Sequence, residues 1–243
     1  MSFQRHVAAG PWEAAAACAA QTVELINRAL TGQATAALAV SGGTTPALMF
    51  DALVTLPVEW GRVHIFWVDE RNVSPGDPQS NYTLTDQHLL SRCRIPRANV
   101  HRIQAELGAQ AAARKYAAEL QEFFRPAPGA LPQFDIVHLG LGPDAHTASL
   151  FPGEALIEDR SGLAAAVYVE KLQQWRITLL PGVLLAARHT LLLATGAEKA
   201  EPLYHVMHDG YDPLRYPAQA ILHHARDVDC FLDTASSARL GGG

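Results

Sequence analysis

Asp144 and His146 stand two residues apart in a turn hinged by Gly140 and Gly142, directly after the apolar run 134–139. An imidazole whose unperturbed pKa is about 6.5 suits a general base near neutral pH. Asp144 is placed to hold that ring in one tautomer or to bind a substrate hydroxyl. A lone histidine is more often structural, yet the strand-like run, the paired glycines and the aspartate together favour chemistry here. His138, inside the run, reads as a packing residue.

A second turn, Ser41-Gly42-Gly43-Thr44-Thr45-Pro46, follows the apolar stretch 36–40. Its glycines permit a tight bend and close backbone approach to a ligand. Ser41, Thr44 and Thr45 offer hydroxyl donors, and Pro46 suits the first position of a following helix. Free amides and the helix dipole at such a point favour an anion. The turn is neither a Walker loop nor the three-glycine dinucleotide fingerprint, and alone it reads equally as a capped turn without ligand.

Asp69-Glu70-Arg71 closes the run 63–68. Arg71 could hold a phosphate or carboxylate oxygen, and Asp69 could accept a proton or orient a neighbour. An isolated triplet of this kind is more commonly a surface salt-bridge cluster. Asn81-Tyr82, past the polar loop 74–80, would return polar groups to the same rim. Arg176 and Lys199 complete the set. Lysine occurs only at 115, 171 and 199, so a lysine near a motif carries weight. Lys199 lies near a helix start, against the dipole, where an anionic ligand would compensate it. Read alone, either cation is a solvated surface charge. Neither His205/His208 nor His223/His224 has a nearby set of carboxylate or thiolate ligands, which argues against a metal.

These residues need elements to hold them. Strands are expected at 35–40, 63–68, 134–139, 164–169, 176–180, 189–194 and 228–232. Helices are expected at 11–30, 46–53, 80–90, 109–124, 181–187 and 198–208. Continuous apolar strands alternating with helices imply an open, mostly parallel twisted α/β sheet with helices on both faces. The candidate residues follow the carboxyl ends of strands, where such sheets bind ligands. Segment 125–132, rich in proline and glycine, joins a helix to a strand, so residues 1–243 read as one domain. Loop 74–80 is placed where a substrate rim or lid could sit, and 241–243 reads as a flexible tail.

With 243 residues, 49% of them hydrophobic and 18% charged, the chain is long and apolar enough for a real core. A net charge of −5 argues against nucleic acid or an anionic membrane as partner. No apolar run approaches the roughly 18 residues of a membrane span. Cys18, Cys93 and Cys230, odd in number and without metal spacing, read as reduced thiols of a cytoplasmic protein.

Segments 41–46, 69–71, 81–82, 140–152, 176–178 and 196–199 resemble, in order and spacing, those of the 6-phosphogluconolactonases. Stretch 144–152 is the most specific. That family, grouped with the glucosamine-6-phosphate deaminases and isomerases, has a Rossmann-like α/β fold. The resemblance implies hydrolysis of 6-phospho-D-glucono-1,5-lactone in the oxidative pentose phosphate pathway, with no cofactor and no metal. It makes His146 the base that activates water. Gly42, Gly43 and Thr44, with Ser41 beside them, become the phosphate cradle, Arg176 and Lys199 its cations. Asp69 and Arg71 line the lactone side; the residues themselves add Asn81 to that rim and leave the orienting of His146 to Asp144 or Asp69. The partner is a small phosphosugar lactone, and the protein a monomer or small homo-oligomer. Where the family carries glycine, this chain has Ala145, which at φ > 0 costs about 1 kcal/mol.

Two other readings use the same pocket. A deaminase/isomerase acting on glucosamine 6-phosphate would carry an acid shortly after the histidine, and 147–151 has none. A catalytically silent sugar-phosphate binder would keep the pocket without turnover.

Overall fold

The computed structural model describes residues 3–241. The strands are β1 (Gln4–Ala8), β2 (Ala36–Val40), β3 (Val63–Trp67), β4 (Asp69–Arg71), β5 (Val100–His101), β6 (Ile136–Leu139), β7 (Ala164–Val169), β8 (Gln174–Leu179), β9 (His189–Ala194) and β10 (Val228–Asp233). The α-helices are α1 (Pro11–Gly32), α2 (Thr44–Leu53), α3 (Asn81–His88), α4 (Ala109–Phe124), α5 (Pro181–Ala186), α6 (Ala200–His208) and α7 (Ala218–Leu222).

Seven strands form one parallel sheet in the order β1-β10-β9-β6-β2-β3-β5. This is the open Rossmann-like α/β arrangement with helices about it. Every residue of β2 and β6 is buried, the burial expected of central strands covered on both faces. α1 buries Ala14, Ala15, Cys18, Ala19, Val23 and Ile26 along one stripe, and its small residues allow close approach to α2 and β10. Each large aliphatic side chain buried this way contributes about 1.5–3 kcal/mol.

From β2 the chain builds outward through β3 to β5, then returns to place β6 on the other side of β2. The direction of winding therefore reverses between β2 and β6, and a crevice opens at their carboxyl ends. The turns bearing Gly42 and His146 leave from those two ends.

A second sheet, β4-β8-β7, is antiparallel. Val68 joins the two sheets: its amide donates to Val40 in the first, and its carbonyl accepts from Leu179 in the second. The strands expected at 164–169 and 176–180 are present, but they form this hairpin instead of joining the parallel sheet. β1, β4, β5 and α7 were not foreseen. β1 is a largely exposed edge without an apolar run, while β4 and β5 have three and two residues.

Three helix boundaries differ from expectation. α2 starts at Thr44 after Gly43 at φ 120°, so Pro46 lies within the first turn and not at its first position. α3 stops at His88 and a 3-10 turn, Leu90–Arg92, follows. Lys199 belongs to a 3-10 turn, Ala197–Lys199, ahead of α6. Segment 125–132 joins α4 to β6 as expected. Of the tail at 241–243, residues 242 and 243 lie outside the described residues.

Candidate active site

The turn after β6 is bound to itself before it binds anything else. The Gly142 amide donates to the His146 carbonyl (2.8 Å) and the Ala145 amide to the Gly142 carbonyl (3.0 Å). The Thr147 hydroxyl donates back to the Gly140 carbonyl at 2.9 Å. This closure puts Ala145 at φ 61° and Ala148 at φ 49°, both left-handed. The expected penalty at Ala145 is therefore real, about 1 kcal/mol or more. The Ala145 carbonyl is used as well, accepting the Ala218 amide at the start of α7. Gly142 has no room for a side chain: a Cβ there would lie 2.0 Å from His146 Nδ1.

His146 Nδ1 is 2.5 Å from Asp144 Oδ1, and the ring packs on Phe151 with centroids 4.2 Å apart. A carboxylate accepts only, so Nδ1 carries the hydrogen and Nε2 keeps its lone pair. Burial lowers the His146 pKa to about 4. Arg176, Lys199 and Arg71 push the same way, and Asp69 opposes them. The ring is neutral at physiological pH.

A cavity of about 260 Å³ opens in front of this ring. Eight of the anticipated residues line it: Ser41, Gly42, Asp69, Arg71, Asn81, His146, Arg176 and Lys199. Asp144 stands behind His146 and touches the cavity only through it. Gly43 and Thr44 flank the lining without being part of it, and the Thr44 side chain is exposed. The Ser41 hydroxyl, expected to face a ligand, instead donates to the His138 carbonyl at 2.9 Å. His138 is fully buried beneath it, and desolvation lowers its pKa to about 3.

β4 does not form a surface salt-bridge cluster. Asp69 and Glu70 are both buried. The Glu70 carboxylate accepts the amides of Asn81 (2.7 Å) and Tyr82 (2.8 Å) and the Ser80 hydroxyl (3.0 Å), pinning the start of α3. That pin sets Asn81 beside Asp69. Asp69 accepts the Asn81 side-chain amide on one oxygen (3.1 Å) and the Ser149 hydroxyl on the other (2.6 Å). With both oxygens engaged, Asp69 acts as a fixed negative charge facing His146. Asn81 Oδ1 packs so closely on Gly42 that a Cβ there would be 1.8 Å away.

Arg71 and Arg176 are direct cross-strand partners in β4 and β8. Like charges in that relation repel. Arg71 donates to the Gln79 carbonyl, yet the buried Nε of each arginine has no partner among the described residues. Burial and Arg71 lower the pKa of Arg176. Two arginines, Lys199 and too few acceptors make a site short of one anion.

Ser149, Phe151, Lys171, Leu172 and Thr178 were not anticipated. Ser149 holds Asp69, and its own amide donates to Thr178 Oγ1 at 3.2 Å. Leu172 lines the cavity from the β7–β8 turn. The visible signal for Ser149 was a polar residue inside the otherwise apolar end of the 144–152 motif. Away from the cavity, His205 pairs with Asp209 and stacks on Tyr216, and His208 stacks on Tyr204. No group of three or more metal-ligating side chains occurs among the described residues.

Against known proteins, a family model described as glucosamine-6-phosphate isomerases/6-phosphogluconolactonase matches residues 10–230. A 6-phosphogluconolactonase of the cyanobacterium Nostoc sp. is 35% identical over 216 residues, 88% of this chain and 89% of that protein. A human 6-phosphogluconolactonase is 36% identical over 211 residues, 84% of this chain and 80% of that one. The solved 6-phosphogluconolactonase from Trypanosoma brucei superposes with a TM-score of 0.86 at 27% identity, covering 99% of both chains.

Proposed function

This chain belongs to the glucosamine-6-phosphate isomerase/6-phosphogluconolactonase family and hydrolyses 6-phospho-D-glucono-1,5-lactone to 6-phospho-D-gluconate in the pentose phosphate pathway, and we propose that His146 is the general base that drives the reaction. The observation that carries this assignment is a neutral His146, tethered by Asp144 through Nδ1, facing a cavity with unpaired arginine nitrogens.

His146 Nε2 takes a proton from water as the water oxygen attacks the lactone carbonyl. The carbonyl oxygen becomes an alkoxide in the tetrahedral intermediate, and Arg71 and neighbouring dipoles stabilise that charge. Collapse of the intermediate breaks the bond from the carbonyl carbon to the ring oxygen. The imidazolium returns its proton to the departing oxygen, leaving a hydroxyl, a carboxyl group and a neutral base. Arg176 and Lys199 meet the phosphate, with Gly42, Gly43 and Thr44 bringing in the amides at the start of α2. Asp69 and Asn81 position the lactone side, and Ser41 anchors the cradle to β6. A strained ester needs only a placed water and a base, so the scheme calls for no metal or organic cofactor.

The free thiols of Cys18, Cys93 and Cys230 support a reduced, cytoplasmic setting. Among the described residues no helix is long and apolar enough to cross a membrane. We take residues 1–243 as one catalytic domain, working as a monomer or small homo-oligomer on a small phosphosugar lactone without nucleic acid.

The test compares lactone hydrolysis by the wild type and by His146→Ala, with spontaneous opening subtracted. A loss of about 100-fold or more is expected. Activity that survives the substitution assigns the base elsewhere. Ammonia release from glucosamine 6-phosphate by the wild type would turn the reading toward the deaminases.

A further inference from the structure

Lys171 is one of only three lysines, and nothing above gives it a task. It sits in the 3-10 turn Glu170–Leu172 at the tip of the β7–β8 hairpin. Its Nζ bonds Asp144 Oδ2, while Asp144 Oδ1 bonds His146 Nδ1. The two carboxylate oxygens are thus divided between the ammonium and the imidazole. Lys171 Nζ also lies 4.8 Å from the centroid of Phe151, the ring on which His146 packs. Lysine, aspartate and histidine close a loop around one aromatic side chain.

We propose that Lys171 is a positioning residue for the base: it fixes the Asp144 carboxylate and offsets part of its charge, holding His146 oriented and neutral. This rests on the reading of His146 as the base. The side chain of Asp144 is a quarter exposed, and its Oδ1 already takes both the ring and the main-chain amide of His146 (3.3 Å), so Lys171 is what holds Oδ2 and with it the plane of the carboxylate. The hairpin is stiff enough to impose the contact. Six residue pairs hold β7 to β8, and at the turn Gln173, at φ 48°, donates its side-chain amide to the Glu170 carbonyl at 2.8 Å. The Gln174 side chain reaches Gln79 at 3.1 Å, tying the hairpin to the loop before α3. β8 also carries Arg176, so one hairpin brings a cation to the base and another to the anion.

The charge argument has a sign. A carboxylate beside an imidazole favours the imidazolium, and a cation on that carboxylate weakens the effect. The other charges facing His146 are Asp69 and Arg71 from β4, Arg176 from β8, and Lys199 from the turn before α6. Lys171→Met leaves all of these in place. Its acid limb in kcat/KM is expected to move up by about 1 pH unit. At neutral pH kcat is expected to fall about tenfold, with KM nearly unchanged. Lys171→Arg restores both, because a guanidinium reaches the same oxygen. The side chain is half exposed, so folding survives, and the melting temperature serves as the control.

Three outcomes overturn the proposal. The first is a Met variant within twofold of wild type with the same acid limb, while His146→Ala is inactive. The second is a raised KM at constant kcat, which makes Lys171 a substrate ligand. The third is an Arg variant no better than Met. If His146→Ala itself stays active, the assignment of the base has failed, and that result is separate from all three.

Discussion

At His146, burial outweighs the opposing charge of Asp69 and lowers the pKa to about 4, with three cations adding to the effect. With His146 as the proposed base, activity is expected to fall as pH drops through that pKa, because only the unprotonated ring accepts a proton. In the free protein the acid limb of kcat/KM is therefore expected well below the ordinary histidine value of about 6.5. A bound phosphate neutralises the field of Arg176, Lys199 and Arg71. The acid limb of kcat, which reports the loaded site, should then lie at higher pH than that of kcat/KM. Rate profiles between pH 3.5 and 8 check the order, and the reverse order removes the cationic field as the cause. Most single residues of this site were legible because each sits in a short motif that carries its chemistry. Ser149 and Lys171 were not, since their partners Asp69 and Asp144 are 80 and 27 residues away. The partner of the Ser41 hydroxyl was hidden for a related reason: the group looked free in the sequence, but β6 runs beside it and takes the hydrogen bond.

Glycine at position 42 belongs to the scale of elements, because it decides how near α3 comes to the turn after β2. Gly42→Ala drives a methyl group into Asn81 Oδ1 and pushes Asn81 off Asp69. A stability loss of about 1–3 kcal/mol is expected, together with a fall of about tenfold or more in kcat/KM. Denaturant curves and steady-state rates measure the two. Gly61→Ala is the matched control, since its Cβ meets nothing within 4 Å. Sequence patterning located the long elements well: β7 and β9 fall on their expected bounds, as does α4. It missed the pairing of β7 with β8, although a signal was available. The expected strands at 164–169 and 176–180 leave only six residues between them, too few for the dozen or so of a parallel crossover. Hairpin geometry follows from that count alone. β4 gave no such clue, because three charged residues in a row do not look like a strand until β8 pairs with them.

On the scale of the whole molecule, two sheets meet over one crevice, and each contributes one class of group. The parallel sheet supplies the turns with Gly42, His146 and Lys199. The antiparallel sheet supplies Asp69, Arg71 and Arg176. The first sheet was legible from alternating helices and apolar strands, and so was the crevice at its carboxyl edge. The second sheet was not, and with it went the fact that Arg71 and Arg176 face each other. Inorganic phosphate at millimolar concentration is expected to raise the melting temperature by several degrees through this pair. Arg176→Gln should abolish most of that rise while lifting the melting temperature of the free protein by about 1–3 °C, through relief of a repulsion of a few tenths to 1 kcal/mol. Thermal unfolding of both proteins with and without phosphate decides it, and an Arg176→Gln variant that is less stable when free sinks the idea. A redesign scored only on how well the empty chain folds would therefore discard one of these arginines, and its best sequence would be a sturdier protein with a weaker grip on the anion proposed to bind there.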